Sequence, residues 1–308
     1  MSCMKFLKIG TRGSDLALAQ TLILQTALAR IYPRLPMDRT IIYTQADIRL
    51  DTPLGIASSI DKGAFTKELE IALLQKKIHL AVHSLKDLPI EGPPGLILSA
   101  ILPRASFEDC LISKQAGGIE ALPKGAYVAT SSQRRKAQLL KQRPDLMVEA
   151  IRGNVATRLA KLAQSDKLHA IIVAKAGLER LKILLPGGLC AKLGLYAQSL
   201  EDFLPAPGQG AIAIQTLKKD QETRELLMPV HDPLTEKCVR AERLLLNKLG
   251  GGCHAALGAL AQPLPEAISL QAIFFQGPAC YYAQATASNA EEVAMRVFST
   301  FALKDKAL

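Results

Sequence analysis

The stretch AYVATSSQRRKAQLLKQ, residues 126–142, decides the fold class. Its apolar start, residues 126–129, predicts a short strand. The three hydroxyl residues at 130–132 follow directly and can cap a helix, which we expect to continue through Gln142. A strand, a polar turn and a helix in succession form the repeating unit of α/β proteins.

The same unit recurs on both sides of this stretch. Downstream, a strand at 147–151 precedes a helix from Val155, and a strand at 170–174 precedes a short helix. Towards the N-terminus we predict strands at 6–10, 40–44 and 80–82 and helices at 16–31 and 65–76, with a later strand at 211–215. The alternation predicts α/β layers with largely parallel sheets.

The last quarter of the chain has a different pattern. A long helix at 233–249 leads into the glycines 250–252. Strand-like stretches at 268–275 and 281–286 and a helix at 290–303 follow. We interpret this segment as a small α+β unit.

Composition narrows the function classes. Hydrophobic residues make up 49% and charged residues 21% of the 308 residues, which excludes a disordered chain. The six cysteines form no C-x-x-C pair, so neither a zinc knuckle nor a dense disulfide framework is indicated. No apolar run approaches the length of a membrane span, and we expect a cytoplasmic protein.

The net charge of +10 is concentrated in one region. Residues 130–182 contain twelve Lys or Arg and four Asp or Glu, so they carry 12 − 4 = +8 of it. Such a field implies an acidic partner. The chain has no Trp, only 5% aromatic residues and no nucleic-acid motif. Few side chains could stack on bases, so nucleic acid is not favoured as the acidic partner.

Arginines and hydroxyls follow the predicted strands at the ends where ligands bind in α/β sheets. Helix N-termini there attract anions, and the planar guanidinium group binds carboxylates through two hydrogen bonds. Any one such turn alone is explained by capping beside a surface arginine. Four turns on successive strand ends favour a site for a ligand with several carboxylates. These turns contain Arg12 and Ser14, Thr130–Arg135, Arg152–Arg158, and Arg180.

Two further motifs leave alternatives open. After the predicted strand at 80–82, Lys86 and Asp87 form either a surface ion pair or a substrate-binding pair, and His83 is either a base or a structural residue. Cys253 follows three glycines and is either an ordinary buried thiol or a nucleophile or attachment point.

Taken together, these motifs resemble those of the porphobilinogen deaminase (hydroxymethylbilane synthase) family along nearly the whole chain. The matching segments are TRGS (11–14), DTPL (51–54), FTKELE (65–70), AVHSLKDLP (81–89), TSSQRR (130–135), RGNV (152–155), LPAPGQGA (204–211) and GGC (251–253). Each segment alone has low specificity, and their order and spacing together have high specificity.

The resemblance implies a fold of two periplasmic-binding-protein-like α/β domains plus a small C-terminal α+β domain. The implied boundaries are 1–102 with 208–228 for domain 1, 103–207 for domain 2 and 229–308 for domain 3. It also implies a dipyrromethane cofactor joined to Cys253 by a thioether. The implied reaction, catalysed by a transferase of tetrapyrrole and heme biosynthesis, condenses four porphobilinogen molecules head to tail with loss of ammonia and then hydrolyses the product to release hydroxymethylbilane.

The resemblance also implies residue roles. Asp87 would stabilise the cationic azafulvene left by ammonia loss, acting with Lys86 and Arg12 as the catalytic set. The residues implied to hold the cofactor are Cys253, Asp87, Lys86, Ser84, Thr130, Ser131, Ser132, Arg134 and Arg135. Those implied to bind substrate are Arg12, Ser14, Gln20, Lys62, Arg152, Arg158 and Arg180, with Lys62 on a loop over the site.

Some positions depart from the family pattern. Residues 45–47 read Gln-Ala-Asp where Arg-Gly-Asp is common, and the lid segment 55–63 is longer than usual and lacks the double glycine. Ala156 replaces a usual glycine, and His254 stands where glutamine is common. None of these changes removes Asp87, so we expect activity.

The alternative function is a non-catalytic anion-binding protein of the periplasmic type. Cys253 and Asp87 favour the enzyme, because a simple binder needs neither. The resemblance further implies a monomer that binds neither nucleic acid nor membrane and a handover of its product to uroporphyrinogen-III synthase.

Overall fold

The computed structural model describes residues 6–44, 65–251 and 255–305. They form two compact units, unit 1 (1–104 and 211–236) and unit 2 (105–210 and 237–308). The three-domain boundaries implied by the resemblance stay a prediction.

The strands of the described residues are β1 (Leu7–Thr11), β2 (Met37–Ile41), β3 (Leu80–Ser84), β4 (Leu96–Ile101), β5 (Asp109–Ser113), β6 (Tyr127–Ala129), β7 (Met147–Glu149), β8 (Leu168–Ala174), β9 (Tyr196–Leu200), β10 (Ile212–Leu217), β11 (Leu257–Pro263), β12 (Ile268–Gln276) and β13 (Ala279–Ala287). The α-helices are α1 (Asp15–Ile31), α2 (Lys67–Leu74), α3 (Gln133–Gln142), α4 (Val155–Gln164), α5 (Lys175–Arg180), α6 (Leu189–Lys192), α7 (Gln221–Leu227), α8 (Pro233–Lys248) and α9 (Ala290–Asp305). Short 3-10 helices span Leu85–Asp87 and Met228–Val230.

The two large sheets share one plan. In unit 1 the strand order is β2-β1-β3-β10-β4, and in unit 2 it is β7-β6-β8-β5-β9. In each sheet the first three strands are parallel. The fourth, β10 or β5, runs antiparallel to both of its neighbours. The fold class is confirmed, and so is the prediction of largely parallel sheets, because four of the five strands in each sheet run in the same direction. The sequence did not predict the single antiparallel strand inserted in each sheet.

Helix α1 begins where the sequence pattern predicts. Ser14 is its N-cap and accepts a hydrogen bond from the backbone N–H of Ala17. Its buried face includes Leu24 and Leu28, four residues apart, which pack with Leu80 of β3 in the core of unit 1. Helix α2 packs a second cluster against the sheet, formed by Leu69, Ala72, Leu73, Ile78 and Ala81. The ends of β3 and of the two helices therefore lie close together.

The C-terminal part of unit 2 is the predicted α+β unit. Strands β11, β12 and β13 form an antiparallel sheet in that order. The rings of Phe274, Tyr281 and Phe301 lie 6.2–6.4 Å apart in its core. Glu242 of α8 is fully buried and accepts hydrogen bonds from the backbone N–H groups of Gly208 and Ala261.

Several element predictions need correction. The strand expected at 40–44 lies at Met37–Ile41, where it pairs in parallel with β1 from Leu7 onward. Strands β4, β5, β9 and β11 are not among the elements predicted from the sequence. In the part of the chain that the structure describes, no helix is long and apolar enough to cross a membrane.

Candidate active site

Unit 1 contains a cavity of about 70 Å³ at the end of β3. It brings together five of the site residues predicted from the sequence: Arg12, Ser14, Gln20, Ser84 and Asp87. The remaining lining residues are Leu16, Ala17, Phe65, Thr66, Val82 and His83. Residues that are 75 positions apart in sequence thus share one pocket at a strand end.

Neighbouring groups fix several of these side chains. The amide nitrogen of Gln20 donates to the hydroxyl of Ser84 at 2.8 Å, which ties α1 to the end of β3. The guanidinium carbon of Arg12 lies 4.8 Å from the ring centre of Phe65, a cation–π distance. Ser14 caps α1 and so places its hydroxyl at the positive end of that helix.

Asp87 and Lys86 lie in the 3-10 turn after β3. The backbone N–H of Leu85 donates to the carbonyl of Ala211, and that of Leu88 donates to the carbonyl of Leu85. Leu85 and Leu88 are buried, whereas Asp87 is exposed and Lys86 is half-buried. Two buried leucines therefore anchor the turn and present the Asp87 carboxylate at the cavity.

The turn after β6 in unit 2 is built by its hydroxyl residues. Ser132 is the N-cap of α3 and accepts from the N–H of Arg135. Ser131 donates to the carbonyl of Ile151 at 2.7 Å and accepts from the N–H of the same residue at 3.1 Å. The hydroxyl of Thr130 accepts from the N–H of Ser132. These hydrogen bonds hold the turn in place, and Ser131 is exposed on it.

Arg134 and Arg135 are buried in a cluster around Asp109, a site residue that was not predicted from the sequence. Both guanidinium groups bond to the Asp109 carboxylate, which is 0% exposed. Gln209 donates to the same carboxylate at 2.9 Å. Burial alone would raise the pKa of Asp109, but the charges of Arg134 and Arg135 outweigh it and hold this pKa well below its usual range.

This cluster keeps excess positive charge in the interior. Two guanidinium groups share one carboxylate, and the Nε of Arg134 has no hydrogen-bond partner among the described residues. Burial lowers the pKa of Arg134, an effect that Asp109 opposes. The Nε of Arg134 apart, direct ligand contact by Arg134 or Arg135 would require them to exchange bonds with Asp109, Leu204 or Ile172.

The other predicted arginines lie nearer the surface of unit 2. Arg158 is half-buried and donates to the carbonyl of Gly153, a glycine with φ of 112°. Arg152 is half-buried in the same turn. Arg180 donates to the carbonyl of Gly210, and burial lowers its pKa to about 10 although Glu179 opposes the shift. Its Nε is buried and has no hydrogen-bond partner within the described residues.

Lys62 and Cys253 lie outside the described residues, as do residues 45–47, the lid segment 55–63 and His254. In sequence Cys253 falls between the end of α8 and the start of β11. The preceding turn is described: Gly250 has φ of 64°, and the N–H of Gly251 donates to the carbonyl of Leu246.

Sequence comparisons decide the family. Residues 7–225 match the family described as porphobilinogen deaminase, dipyromethane cofactor binding domain, and residues 236–301 match porphobilinogen deaminase, C-terminal domain. The chain belongs to the porphobilinogen deaminase family. Its function is that of a porphobilinogen deaminase, which makes it a transferase, and the alternative of a non-catalytic anion binder is not favoured.

Similar proteins support the same conclusion. The chain is 45% identical over 258 residues to a porphobilinogen deaminase of Chloroherpeton thalassium. It is 42% identical over 259 residues to that of Alkaliphilus metalliredigens. Each alignment covers 84% of this chain and 79% of the relative.

Solved structures with lower similarity include the methionine binding protein MetQ and the aliphatic sulphonate binding protein SsuA from Escherichia coli. MetQ aligns with a TM-score of 0.44 at 13% identity, covering 74% of this chain and 90% of its own. SsuA aligns with a TM-score of 0.40 at 14% identity, covering 80% and 71%. The fold assignment rests on the strand order described above.

Proposed function

We propose that this porphobilinogen deaminase carries its dipyrromethane on Cys253 through a thioether and uses Asp87, Lys86 and Arg12 as its catalytic set. The observation that carries the proposal is the cavity of unit 1, which places Asp87 with Arg12, Ser14, Gln20 and Ser84. Porphobilinogen carries carboxylates, a pyrrole N–H and an aminomethyl cation. The cavity offers a matching set of a guanidinium, a carboxylate and neutral polar groups.

Unit 2 supports the binding of a polycarboxylate. The buried Nε groups of Arg134 and Arg180 have no hydrogen-bond partner in the described part of the chain. A buried donor without a partner is costly, and an anionic ligand relieves that cost. These residues therefore fit a dipyrromethane, which has two acetate and two propionate groups. When bound, the cofactor supplies the pyrrole carbon to which the first substrate is joined.

The residues proposed to hold it are Ser84, Lys86, Asp87, Thr130, Ser131, Ser132, Arg134 and Arg135, besides Cys253. Ser131 is exposed beside the N-terminus of α3, where backbone N–H groups favour a carboxylate. For Arg134 and Arg135 we propose that they act while bonded to Asp109, which keeps their charge in place. Arg12, Ser14, Gln20, Lys62, Arg152, Arg158 and Arg180 are proposed to bind the carboxylates of the substrate and of the growing chain.

Asp87 is proposed to act at the loss of ammonia. The substrate C–N bond breaks with both electrons leaving on nitrogen, and positive charge develops on the pyrrole ring. A carboxylate fixed beside the ring N–H stabilises that charge without reorganisation during the reaction. The buried anchors Leu85 and Leu88 supply the required rigidity.

The experiment is mass spectrometry of the intact, freshly purified protein. We expect a covalent dipyrrole adduct that maps to Cys253 and is lost in Cys253→Ser. Cys280→Ser is the matched control, because Cys280 is an exposed cysteine of the same unit. An unmodified Cys253 in protein that consumes porphobilinogen would contradict the proposed attachment.

The broader setting is also proposed. We expect a cytoplasmic monomer that binds neither nucleic acid nor membrane and that passes its product to uroporphyrinogen-III synthase. The proposed domain boundaries are 1–102 with 208–228, 103–207 and 229–308. Limited proteolysis with mass spectrometry tests the boundaries, and light scattering tests the oligomeric state.

A further inference from the structure

His83 lines the cavity of unit 1 from a buried position on β3. Adjacent residues of a strand face opposite sides of the sheet. Ser84 faces α1, where it bonds to Gln20, so His83 lies on the side of α2. On β10, Ala213 pairs with His83 and Gln215 pairs with Ala81, so Gln215 is the diagonal neighbour of His83 on the same face.

A polar chain extends from His83 into the interior. The amide nitrogen of Gln215 donates to a carboxyl oxygen of Glu70 on α2 at 3.3 Å. The Nε2 of His83 and the Oε1 of Gln215 are both buried, and neither has a hydrogen-bond partner of normal geometry among the described residues. An N–H on Nε2 and a carbonyl oxygen are complementary, so a small side-chain shift pairs them and satisfies both.

The charged groups around His83 keep its ring neutral. Burial lowers the pKa of His83 to about 4; Gln215 opposes the shift, and the charge of Arg12 adds to it. Glu70 lies at the far end of this polar chain on α2, and burial raises its pKa although the hydrogen bond from Gln215 opposes the shift. Asp87 lies in the 3-10 turn of the same cavity. At neutral pH the imidazole is therefore an uncharged donor and acceptor.

Building on the function proposed above, we propose that His83 contacts the aminomethyl nitrogen of the substrate through a neutral imidazole whose tautomer is fixed by Gln215 and, behind it, Glu70. In this arrangement Nε2–H donates to Gln215, and Nδ1 accepts a hydrogen bond from the substrate ammonium group. Gln215 and Glu70 are positioning residues, since they act through His83.

A neutral acceptor suits this step. The aminomethyl group carries three N–H protons and leaves as ammonia when the C–N bond breaks, so no proton is transferred to His83. The positive charge passes to the pyrrole ring, where Asp87 is proposed to stabilise it. A carboxylate in place of His83 would bind the ammonium ground state more strongly and raise the barrier to its departure. An imidazole orients the leaving group without that penalty.

The test measures steady-state porphobilinogen consumption and ammonia release in His83→Leu, His83→Asn and Gln215→Met. We expect His83→Leu to lower kcat about 10- to 100-fold, as for a lost hydrogen bond to a charged group. His83→Asn keeps a polar atom near the Nδ1 position and should retain more activity than His83→Leu. Gln215→Met should lower kcat by about 10-fold, with KM changed less than kcat.

Thr216→Val is the matched control on the same strand. Thr216 is fully buried, and its hydroxyl lies 2.6 Å from that of Ser99, but it does not line the cavity. We expect its kcat to equal that of the wild type. If Gln215→Met and Thr216→Val reduce kcat equally, or if His83→Leu turns over like the wild type, the assignment of His83 is overturned.

A spectroscopic readout separates positioning from packing. Nitrogen-15 NMR of the histidine rings reports charge and tautomer, and His83→Asn identifies the His83 signals among the five histidines. We expect a neutral Nε2–H tautomer at about pH 6, where an ordinary histidine is mostly charged, and mixed tautomers in Gln215→Met. A charged ring in the wild type, or an unchanged tautomer in Gln215→Met, would overturn the proposal. An inactive wild type would instead contradict the proposed function.

Discussion

Replacing Asp109 by Asn tests the buried arginine cluster of unit 2. The change removes the carboxylate that bonds to Arg134, Arg135 and Gln209, and it leaves two guanidinium groups without a counter-charge in the interior. Removing one partner of a buried ion pair costs about 3–5 kcal/mol. For a unit of roughly 150–250 residues each kcal/mol lowers Tm by about 2–4 °C, so we expect a fall of about 6–20 °C.

Thermal unfolding followed by circular dichroism is the assay. The control is Glu149→Gln, which breaks the exposed pair with Lys167 and should leave Tm nearly unchanged. Each variant is measured with the dipyrrole adduct and in a Cys253→Ser background that lacks it. An Asp109→Asn protein that melts with the wild type in both backgrounds would refute the structural role of the cluster. If Asp109→Asn lowers Tm only in the background without the adduct, the carboxylates of the cofactor replace that of Asp109.

The pH dependence of stability follows from the same residue. The folded pKa of Asp109 lies below its unfolded value of about 3.9. A carboxyl group of this kind stabilises the fold above its unfolded pKa, and the stabilisation is lost as the pH falls through the folded pKa. In wild type we therefore expect the Asp109 contribution to Tm to be complete at neutral pH, to begin to decline as the pH falls below about 4, and to be lost in stronger acid. The Tm difference between wild type and Asp109→Asn should shrink over that acid range.

Three further predictions concern activity and backbone geometry. Asp87→Ala should abolish porphobilinogen consumption while its circular dichroism spectrum and Tm match the wild type, because Asp87 is exposed; normal turnover would show that its role is misassigned. Arg135→Lys keeps the charge but loses paired bonds to Asp109, so its Tm should fall less than in Asp109→Asn, and its adduct yield in mass spectrometry should drop. Gly210→Ala should lower Tm more than Gly125→Ala, because both have positive φ but only at Gly210 would the new Cβ lie 2.7 Å from a backbone oxygen; equal Tm values would contradict the clash.

Much of the fold could be predicted because its strands are short apolar runs bounded by turn residues. Strands β6 and β8 are of this kind. The start of α1 was also predictable, because Ser14 is a residue type that caps helices. Strand β9, Tyr196–Leu200, was missed because it is a mostly exposed strand at the edge of its sheet, where β5 is its one partner among the described residues. The antiparallel insertion of β10 and β5 leaves no local signal, since strand direction depends on a partner far away in the sequence.

The candidate site was predictable only in part, for a similar reason. Residues of unit 1 such as Arg12 and Asp87 follow strands directly, so their convergence in one cavity was predictable. Asp109 was missed because no spacing relates it to Arg134 and Arg135, about 25 positions later. A signal did exist, since an acidic residue directly before the apolar run at 110–112 must find a cation when buried. The sequence left two roles open for His83, a base or a structural residue. Periodicity cannot show whether a buried ring nitrogen has a hydrogen-bond partner.

The inserted strand β10 constrains the order in which the two large sheets can fold during synthesis on the ribosome. It lies between β3 and β4 in the sheet of unit 1, yet it is synthesised more than 100 residues after β4. Until then β3 and β4 each expose an unpaired edge, the feature that promotes aggregation. The sheet of unit 2 has all its strands within residues 109–200 and can close first. The sheet of unit 1 is therefore the last large sheet to be completed. A nascent chain stalled before residue 212 exposes this sheet without its fourth strand.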